Sequence, residues 1–315
     1  MIDRSCGGSP FHPGERAIQQ RVGVRDKMEA VGRRVLRDFM PDQHREFFAL
    51  LPFLVLGSVD DAGWPAASIV TGTPGFASTP DATTLRIRAL PLPSDAASAN
   101  LRPGSDIGVV GIDFATRRRN RANGTVTAID DGDFDVRVMQ SFGNCPKYIQ
   151  ARDWRAATDD ERGPLQIEEG GTLGAAERAM IAAADTFFIA SALGHGDEPG
   201  CGVDASHRGG LPGFVRSDDE RTLTAPDFSG NLYFNTLGNL LLNQRSGLLF
   251  VDFTGGTTLQ VWAEAEIVWD GPEVAAVAGA QRLVRFHVAR WRRSRNAVPL
   301  RWRFRGYSPF LERSA

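Results

Sequence analysis

Lysine is almost missing from this chain. Lys27 and Lys147 are the only two in 315 residues, which leaves 34 of the 36 basic side chains as arginine, so an isolated arginine marks no site by itself. Cysteine is scarce as well: Cys6, Cys145 and Cys201 lie far apart with no CxxC spacing. That pattern excludes a disulfide scaffold and a structural zinc site and suits a reducing compartment. The five histidines show no HExxH or other metal-ligand spacing. The most apolar stretch, residues 179–194, is interrupted by Asp185 and falls short of the ~20 helical residues that span a bilayer. The N-terminal MIDRSCGGSPFHPGER has no apolar signal-peptide core. There is no GxGxxG opening a helix and no P-loop, which sets aside the usual Rossmann and NTPase arguments. A net charge of −2 gives no bulk attraction to nucleic acid or to an acidic membrane. The expectation is a cytoplasmic, soluble protein that binds neither.

What is present is ordinary in amount, with 42% hydrophobic and 23% charged residues, and unusual in arrangement. The length suits two domains, and the chain contains itself twice. Ala67-Ser68, Gly72 and Pro74-Gly75-Phe76 recur as Ala205-Ser206, Gly210 and Pro212-Gly213-Phe214, 138 residues later. Asn100-Leu101 recurs as Asn239-Leu240, and Ile112-Asp113-Phe114 as Val251-Asp252-Phe253, both 139 later. The division that follows is an N-terminal extension over 1–40, a first half over 41–150, a linker over 151–171 and a second half over 172–315.

Each half offers a helix, then an apolar strand. Asp42 is placed to cap a helix through Leu50 before the run from Phe53 to Val59, and Thr172 to cap one reaching Asp185 before the run from Phe187 to Ala192 and a Gly-rich turn. An Ala-Ser strand, a Pro-Gly-Phe segment, a helix around Asn-Leu and a hairpin around Asp-Phe follow in both. Short strands with one or two helices per half predict a small antiparallel barrel. Val261, Ala263, Ala265 and Ile267 share the interior face of one strand, so Gln260, Trp262, Glu264 and Glu266 face outward. Val284, Phe286 and Val288 alternate with Arg285 and His287 in another. Thr158 and Glu161 form a capping-box pattern in the linker.

Several segments resemble the pyridoxamine 5'-phosphate oxidase-like family of split-barrel flavoproteins: Asp204-Ala-Ser-His-Arg-Gly-Gly-Leu-Pro-Gly-Phe-Val215, Phe234-Asn-Thr-Leu-Gly-Asn-Leu-Leu-Leu-Asn-Gln-Arg245 and Gly247-Leu-Leu-Phe-Val-Asp-Phe253. Residues 114–124 and Asn144-Cys-Pro-Lys-Tyr-Ile149 also look like the same branch. The resemblance covers about residues 40 to 310. It implies a mainly β protein with flanking helices, two tandem FMN-binding split β-barrels related by internal duplication. It further implies FMN held against a barrel, often at a dimer interface, and hydride or electron transfer to a small-molecule substrate, with NAD(P)H as the candidate reductant and a homodimer as the candidate assembly.

The residues offer a phosphate site. Ser206 and Arg208 share one strand face and His207 the other, while Arg208 brings a planar fork suited to phosphate oxygens. Gly209 and Gly210 remove bulk where a ligand would approach. Asn235 and Thr236 lie at a helix start and Asn239 one turn on, beside a packing stripe of Leu237, Leu240 and Leu241. The family often has Arg or Lys near that helix, where this chain has neutral residues. Gln260 and Trp262 are expected to border the flavin ring, or in the case of Trp262 to pack between subunits. Under the repeat, Gln260 and Trp262 correspond to Arg121 and Asn123, and Arg208 to Val70. One intact site per chain follows, with Ser206, Arg208 and Asn235 on one wall and Arg121 and Asn123, or a second chain, on the other. An F420-dependent reductase, whose acidic cofactor would need a groove of C-terminal arginines, and a non-catalytic flavin- or haem-binding module remain the alternatives. The hairpin tip at Arg117-Arg118-Arg119 is a further place for a nucleotide phosphate.

Overall fold

The Ala-Ser motif of each repeat places Ala67 and Ala205 in one apolar cluster shared by the two halves, and this sets how they meet. The computed structural model describes residues 8–193 and 202–311. Cys6, Cys201 and the expected Gly-rich turn after Leu193 lie outside the described residues.

Three helices come first: α1 (Pro13–Arg21), α2 (Arg25–Val35) and α3 (Asp42–Ala49). The first sheet contains β1 (Phe53–Val59), β2 (Pro65–Thr71), β3 (Ala77–Asp81), β4 (Thr84–Ile87), β5 (Asp106–Asp113), β6 (Arg118–Asp130) and β7 (Asp133–Gly143), with the short α4 (Ala96–Asn100) before β5. Then come β8 (Ala151–Ala156), β9 (Gln166–Gly170) and α5 (Ala175–Ala183). The second sheet contains β10 (Thr186–Leu193), β11 (Gly202–Gly209), β12 (Arg216–Ser217), β13 (Thr222–Phe228), β14 (Arg245–Val251), β15 (Thr258–Val268) and β16 (Ala280–Arg295), with α6 (Asn235–Leu242) before β14, α7 (Pro272–Ala275) before β16, and β17 (Leu300–Gly306) last.

The strand orders are β2-β1-β5-β6-β7-β4-β3 and β11-β10-β14-β15-β16-β13-β12. They are the same order shifted by nine strands. Each sheet curls around its own core and leaves its two edge strands unpaired with one another, so the chain forms two tandem split β-barrels, as expected. Leu54, Leu56, Val109 and Val136 fill the first barrel, and Leu248, Leu259, Val261 and Phe286 the second. Ile267 packs against the second core, so the interior face read from the alternation is the one observed.

The repeat extends to individual contacts. Asn100 Nδ2 donates to Ser58 Oγ at 3.0 Å, and Asn239 Nδ2 to Ser191 Oγ at 3.1 Å. A Cβ on Gly72 would lie 2.4 Å from the Phe76 ring, and one on Gly210 2.3 Å from Phe214. The shared Gly-x-Pro-Gly-Phe is therefore a turn in which the ring folds back over the glycine. Between the barrels, Gly108 of β5 lies against the β11 backbone and Gly247 of β14 against the β2 backbone, where a Cβ would meet a carbonyl oxygen at 2.6 and 2.4 Å. The repeat-equivalent Phe114 and Phe253 meet edge to face at 5.3 Å, and Trp302 of β17 packs on Phe253 at 5.2 Å.

Residues 151–171 do more than link. The stretch holds the Thr158–Glu161 capping box, but also β8, paired with β17, and β9, paired with β16. Charge explains the second pairing: Glu169 and Glu168 of β9 meet Arg292 and Arg293 at 2.6 Å each. Three local expectations differ. α5 starts at Ala175, because the Glu177 carboxylate reaches back to accept from Gly174 N at 2.9 Å; the Thr172 carbonyl instead takes the Trp291 indole N–H at 2.7 Å. Asp42 is the first residue of α3, capped by Pro41. Leu241 is exposed, so the packing stripe of α6 is Leu237 and Leu240.

Candidate functional site

Two pseudo-equivalent seams follow from the double barrel. In one, β6 of the first barrel faces β11 and α6 of the second; in the other, β15 of the second faces β2 and α4 of the first. The expected site residues divide between them.

The first seam gathers most of them. Arg121 donates from Nη2 to Ser206 Oγ and from Nη1 to Asn235 Oδ1 at 3.4 Å, and pairs with Asp204 at 3.5 Å. Asn123 Nδ2 donates to Asp204 Oδ1 at 2.5 Å and Asn239 Nδ2 to Asp204 Oδ2 at 3.1 Å. Ser206 and Thr236 share a hydrogen bond of 2.8 Å. Arg121 and Asn123 of the first barrel thus meet Asp204, Ser206 and Asn235 of the second within one chain. These polar groups are nevertheless engaged by the chain's own carboxylates. Besides Asp204, Glu15 of α1 accepts from Asn235 Nδ2 through Oε1 and from His12 N through Oε2 at 2.9 Å. α1 reaches this depth because Gly14 and Gly238 lack side chains; a Cβ on Gly14 would lie 2.1 Å from the Gly238 carbonyl oxygen. Burial, and secondarily Asp204, push the Glu15 carboxyl up to about 8, so it is mostly protonated at neutral pH. Burial pushes His12 down to about 4.

Beyond Ser206 the seam turns cationic. Arg119, Arg121, Lys147 and Arg208 line a cavity of about 70 Å³ with no carboxylate among its lining residues. A neighbouring cavity of about 50 Å³ shares Arg121, Arg208 and Asn231. Arg208 pairs with Asp227 at 3.3 Å and is about one-third exposed. Arg119 donates from Nη1 to His207 Nδ1 at 2.9 Å and from Nη2 to the Cys145 carbonyl at 2.8 Å. Because the guanidinium is the donor, the His207 proton sits on Nε2. Burial first, then Arg119, holds His207 well below its ordinary pKa and so neutral. Burial lowers Arg119 to about 9, with Arg121 next in effect, and lowers Arg121 to about 10; both stay charged at neutral pH. Four buried donors here have no partner: Arg119 Nε, Arg121 Nε, His207 Nε2 and Asn144 Nδ2. Buried donors left unpaired are costly, and a cluster of them beside four cations, two of which are paired at Asp204 and Asp227, has the chemistry of an anion site of phosphate size.

Gly209 serves a different purpose from the one expected. A Cβ there would lie 2.0 Å from the Tyr148 carbonyl oxygen, so the glycine admits the Asn144–Tyr148 segment rather than a ligand. Arg119, Asn144, Lys147 and Tyr148 had not been placed in the site by sequence. The available signal was Lys147, one of two lysines, inside a segment already singled out. Nothing in the sequence marked Glu15 as a site residue; the His12-x-x-Glu15 capping box announces only the start of α1.

Gln260 and Trp262 do not border this seam. Gln260 Nε2 donates to the Ala67 carbonyl at 2.9 Å, Ser68 Oγ at 3.1 Å and Asp95 Oδ2 at 3.3 Å, all in the second seam. Ser68 donates to the other Asp95 oxygen, and burial raises the Asp95 carboxyl above its usual range. Trp262 and Trp291 wall a cleft of about 740 Å³ with Arg290 and Arg292. The Arg290 guanidinium stands 4.6 Å over the Trp262 ring. At the positions of Arg208, Asn235 and Thr236 this seam has Val70, Ala96 and Ala97.

No family model and no curated protein matches the chain. Among solved structures it is similar to a candidate pyridoxamine 5'-phosphate oxidase from Lactobacillus delbrueckii, at 13% identity and TM-score 0.28, over 44% of this chain and 98% of that one. It is similar to an FMN-binding protein from Syntrophomonas wolfei, at 11% identity and TM-score 0.28, over 36% and 80%. A FAD-binding protein from Mesorhizobium loti is similar at 12% identity and TM-score 0.28, over 41% and 97%. Each spans less than half of this chain, and at these values none decides a cofactor or a reaction.

Proposed function

We propose that this chain is a flavin-nucleotide oxidoreductase that binds FMN at the first seam, with the phosphate held by Arg119, Arg121, Arg208 and Lys147. One observation carries the reading: four cationic side chains and four unpartnered buried donors surround a cavity lined by no acid. The donor set fits a phosphate. The enclosed volume of about 70 Å³ is of phosphate size, so the flavin ring would lie outside it. Bound FMN would supply hydride or electron transfer to a small-molecule substrate, with NAD(P)H as reductant. The chain's own part is to bind and orient: the arginines fix the anion, and His207 offers an uncharged N–H donor at Nε2. A homodimer is compatible with this reading but not needed to complete the site.

The C-terminal arginines that the F420 alternative would call on are paired with the chain's own carboxylates. Arg285 meets Glu266 and Glu273, Arg293 meets Glu168 and Glu177, and Arg303 and Arg305 meet Asp153. A second placement is favoured by the size of the 740 Å³ cleft, where the ring would lie against Trp262 and Trp291. Titration of FMN into Arg208→Ala and Trp262→Ala separates the two. The first-seam reading expects affinity to fall ten- to a hundred-fold in Arg208→Ala and to stay within twofold in Trp262→Ala; the reverse pattern overturns it.

A further inference from the structure

Each wall of the cleft in the second seam has a counterpart in the first. The cleft of about 740 Å³ is lined by Ala96, Ala99 and Asn100 of α4, Trp262 of β15 and Arg292 of β16. Under the 139-residue offset the α4 positions become Asn235, Gly238 and Asn239 of α6, and Trp262 becomes Asn123. Arg292 pairs with Gln260 as Phe142 pairs with Arg121, so Phe142 of β7 stands in its place. The outer wall is repeated too, since Gly170 lies on Trp291 as Arg37 lies on Ser141. The same frame nevertheless encloses far less space in the first seam, where the cavities are about 50 and 70 Å³.

The N-terminal extension fills the difference. Gly14 abuts Gly238, where a Cβ would lie 2.1 Å from the carbonyl oxygen, and Glu15 accepts from Asn235. Gln19 Nε2 donates to the Tyr233 carbonyl at 3.3 Å, and Phe142 is covered by Phe11, Met28 and Tyr233. Ile18 anchors α1 on the core of the second barrel. In the second cleft, α4 is the one helix among the lining residues, so no segment plays the part of α1 there. The junction of α1 with the seam is polar and incompletely matched. Glu15 is buried beside Asp204, and the buried His12 Nε2 and Asn123 Oδ1 have no partner. Such groups cost free energy that water or a ligand would recover, so α1 is held less firmly than an apolar helix of equal burial. Asn235, which Glu15 engages, also lines the 50 Å³ cavity, so α1 stands directly beside the cationic pockets.

We propose that α1 is a displaceable occupant of the first seam's ligand chamber, so that FMN and α1 exclude one another there. The identity of the ligand rests on the flavin reading; the separability of α1 does not.

Limited trypsin digestion and FMN titration of the full chain test it, with Gly14→Leu as the variant that evicts α1. Leucine favours a helix more than glycine does, so this change strikes the docking and not the helix itself. Gly8→Leu is the control, because a Cβ there meets nothing within 4 Å. Gly14→Leu is expected to be cleaved after Arg16 and Arg21 at least tenfold faster while both barrels stay resistant, and to bind FMN at least tenfold more tightly. Gly8→Leu should match the unaltered chain in both. In the unaltered chain, saturating FMN should speed the same two cleavages, an arm that holds even if Gly14→Leu does not fold. Equal FMN affinity in a Gly14→Leu chain that has released α1 overturns the proposal. So does bound FMN that leaves the two cleavages unchanged or slows them, or a Gly14→Leu chain cut throughout both barrels. If FMN binds neither chain, the flavin reading falls, while selective release of α1 still upholds a separable occupant and cleavage through both barrels overturns it.

Discussion

The two seams are assembled from equivalent strands, β6 on β11 and β15 on β2, yet they hold opposite chemistry. The first carries Arg121, Asn123, Asp204 and Arg208 where the second carries Gln260, Trp262, Ala66 and Val70. Backbone symmetry was kept by contacts indifferent to ligand: Gly108 and Gly247 against the opposing strands, and Phe114 against Phe253. Polar symmetry was not kept. One seam became a charged, closely filled network and the other a neutral hydrogen-bonded floor beneath an open cleft. Val70 sits in the core of the first barrel, so no single substitution would return an arginine to the second seam. Duplication supplied two equivalent frames, and the side chains facing the two seams diverged.

The comparison is broken most forcefully at the carboxylates. Asp204→Ala strands Arg121, Asn123 and Asn239 in a buried place, and we expect a loss of about 3–5 kcal/mol in denaturant unfolding. Asp95→Ala removes only neutral partners and a helix cap from the second seam, and about 1–2 kcal/mol is expected. Equal losses would mean that the first network carries no special electrostatic load. Next in size is ligand affinity: Arg208→Ala should weaken FMN by about 1.5–3 kcal/mol, read by titration of the visible spectrum.

A further contrast is read by pH. The Glu15 carboxyl ordinarily titrates at 4.5 and is raised to about 8 when α1 is docked. The docked state therefore binds the proton more tightly, and stability from this group is full below pH 4.5 and lost as pH rises toward 8. His12 works in the opposite direction, its contribution being full above 6.5 and lost as pH falls toward 4. Glu15→Gln should remove the decline on the alkaline side, with the proteolysis rate of the first 21 residues across pH 6 to 8.5 as the readout. A variant that still shows the full decline would place its origin elsewhere.

The fold was legible because its signals are local and doubled. Gly-x-Pro-Gly-Phe and Asn-Leu each specify a turn or helix contact, and seeing them twice in one order implied two copies of a sheet. The repeat offered Arg121 and Asn123, or a second chain, as the wall opposite Ser206; Arg121 reaches Ser206 and Asn123 reaches Asp204. Gln260 and Trp262 fall in the other seam because a duplicated barrel has two seams, and the repeat offset alone does not say which outward-facing strand covers which. Glu15 was invisible as a site residue because it reaches Asn235 across 220 positions, through a glycine-to-glycine approach that periodicity does not reveal. Arg119 stood in an arginine hairpin tip offered as a separate phosphate place and Lys147 in a family-like segment, and no local pattern said that the fold brings both to one cavity.

The most direct test of the central claim, that one seam of the two is the ligand site, is the molar ratio of FMN to chain in the reconstituted protein, measured by absorbance after denaturation. The account predicts one FMN per chain, lost or sharply weakened in Arg208→Ala. Two per chain, or a protein that stays colourless in excess FMN, would contradict it.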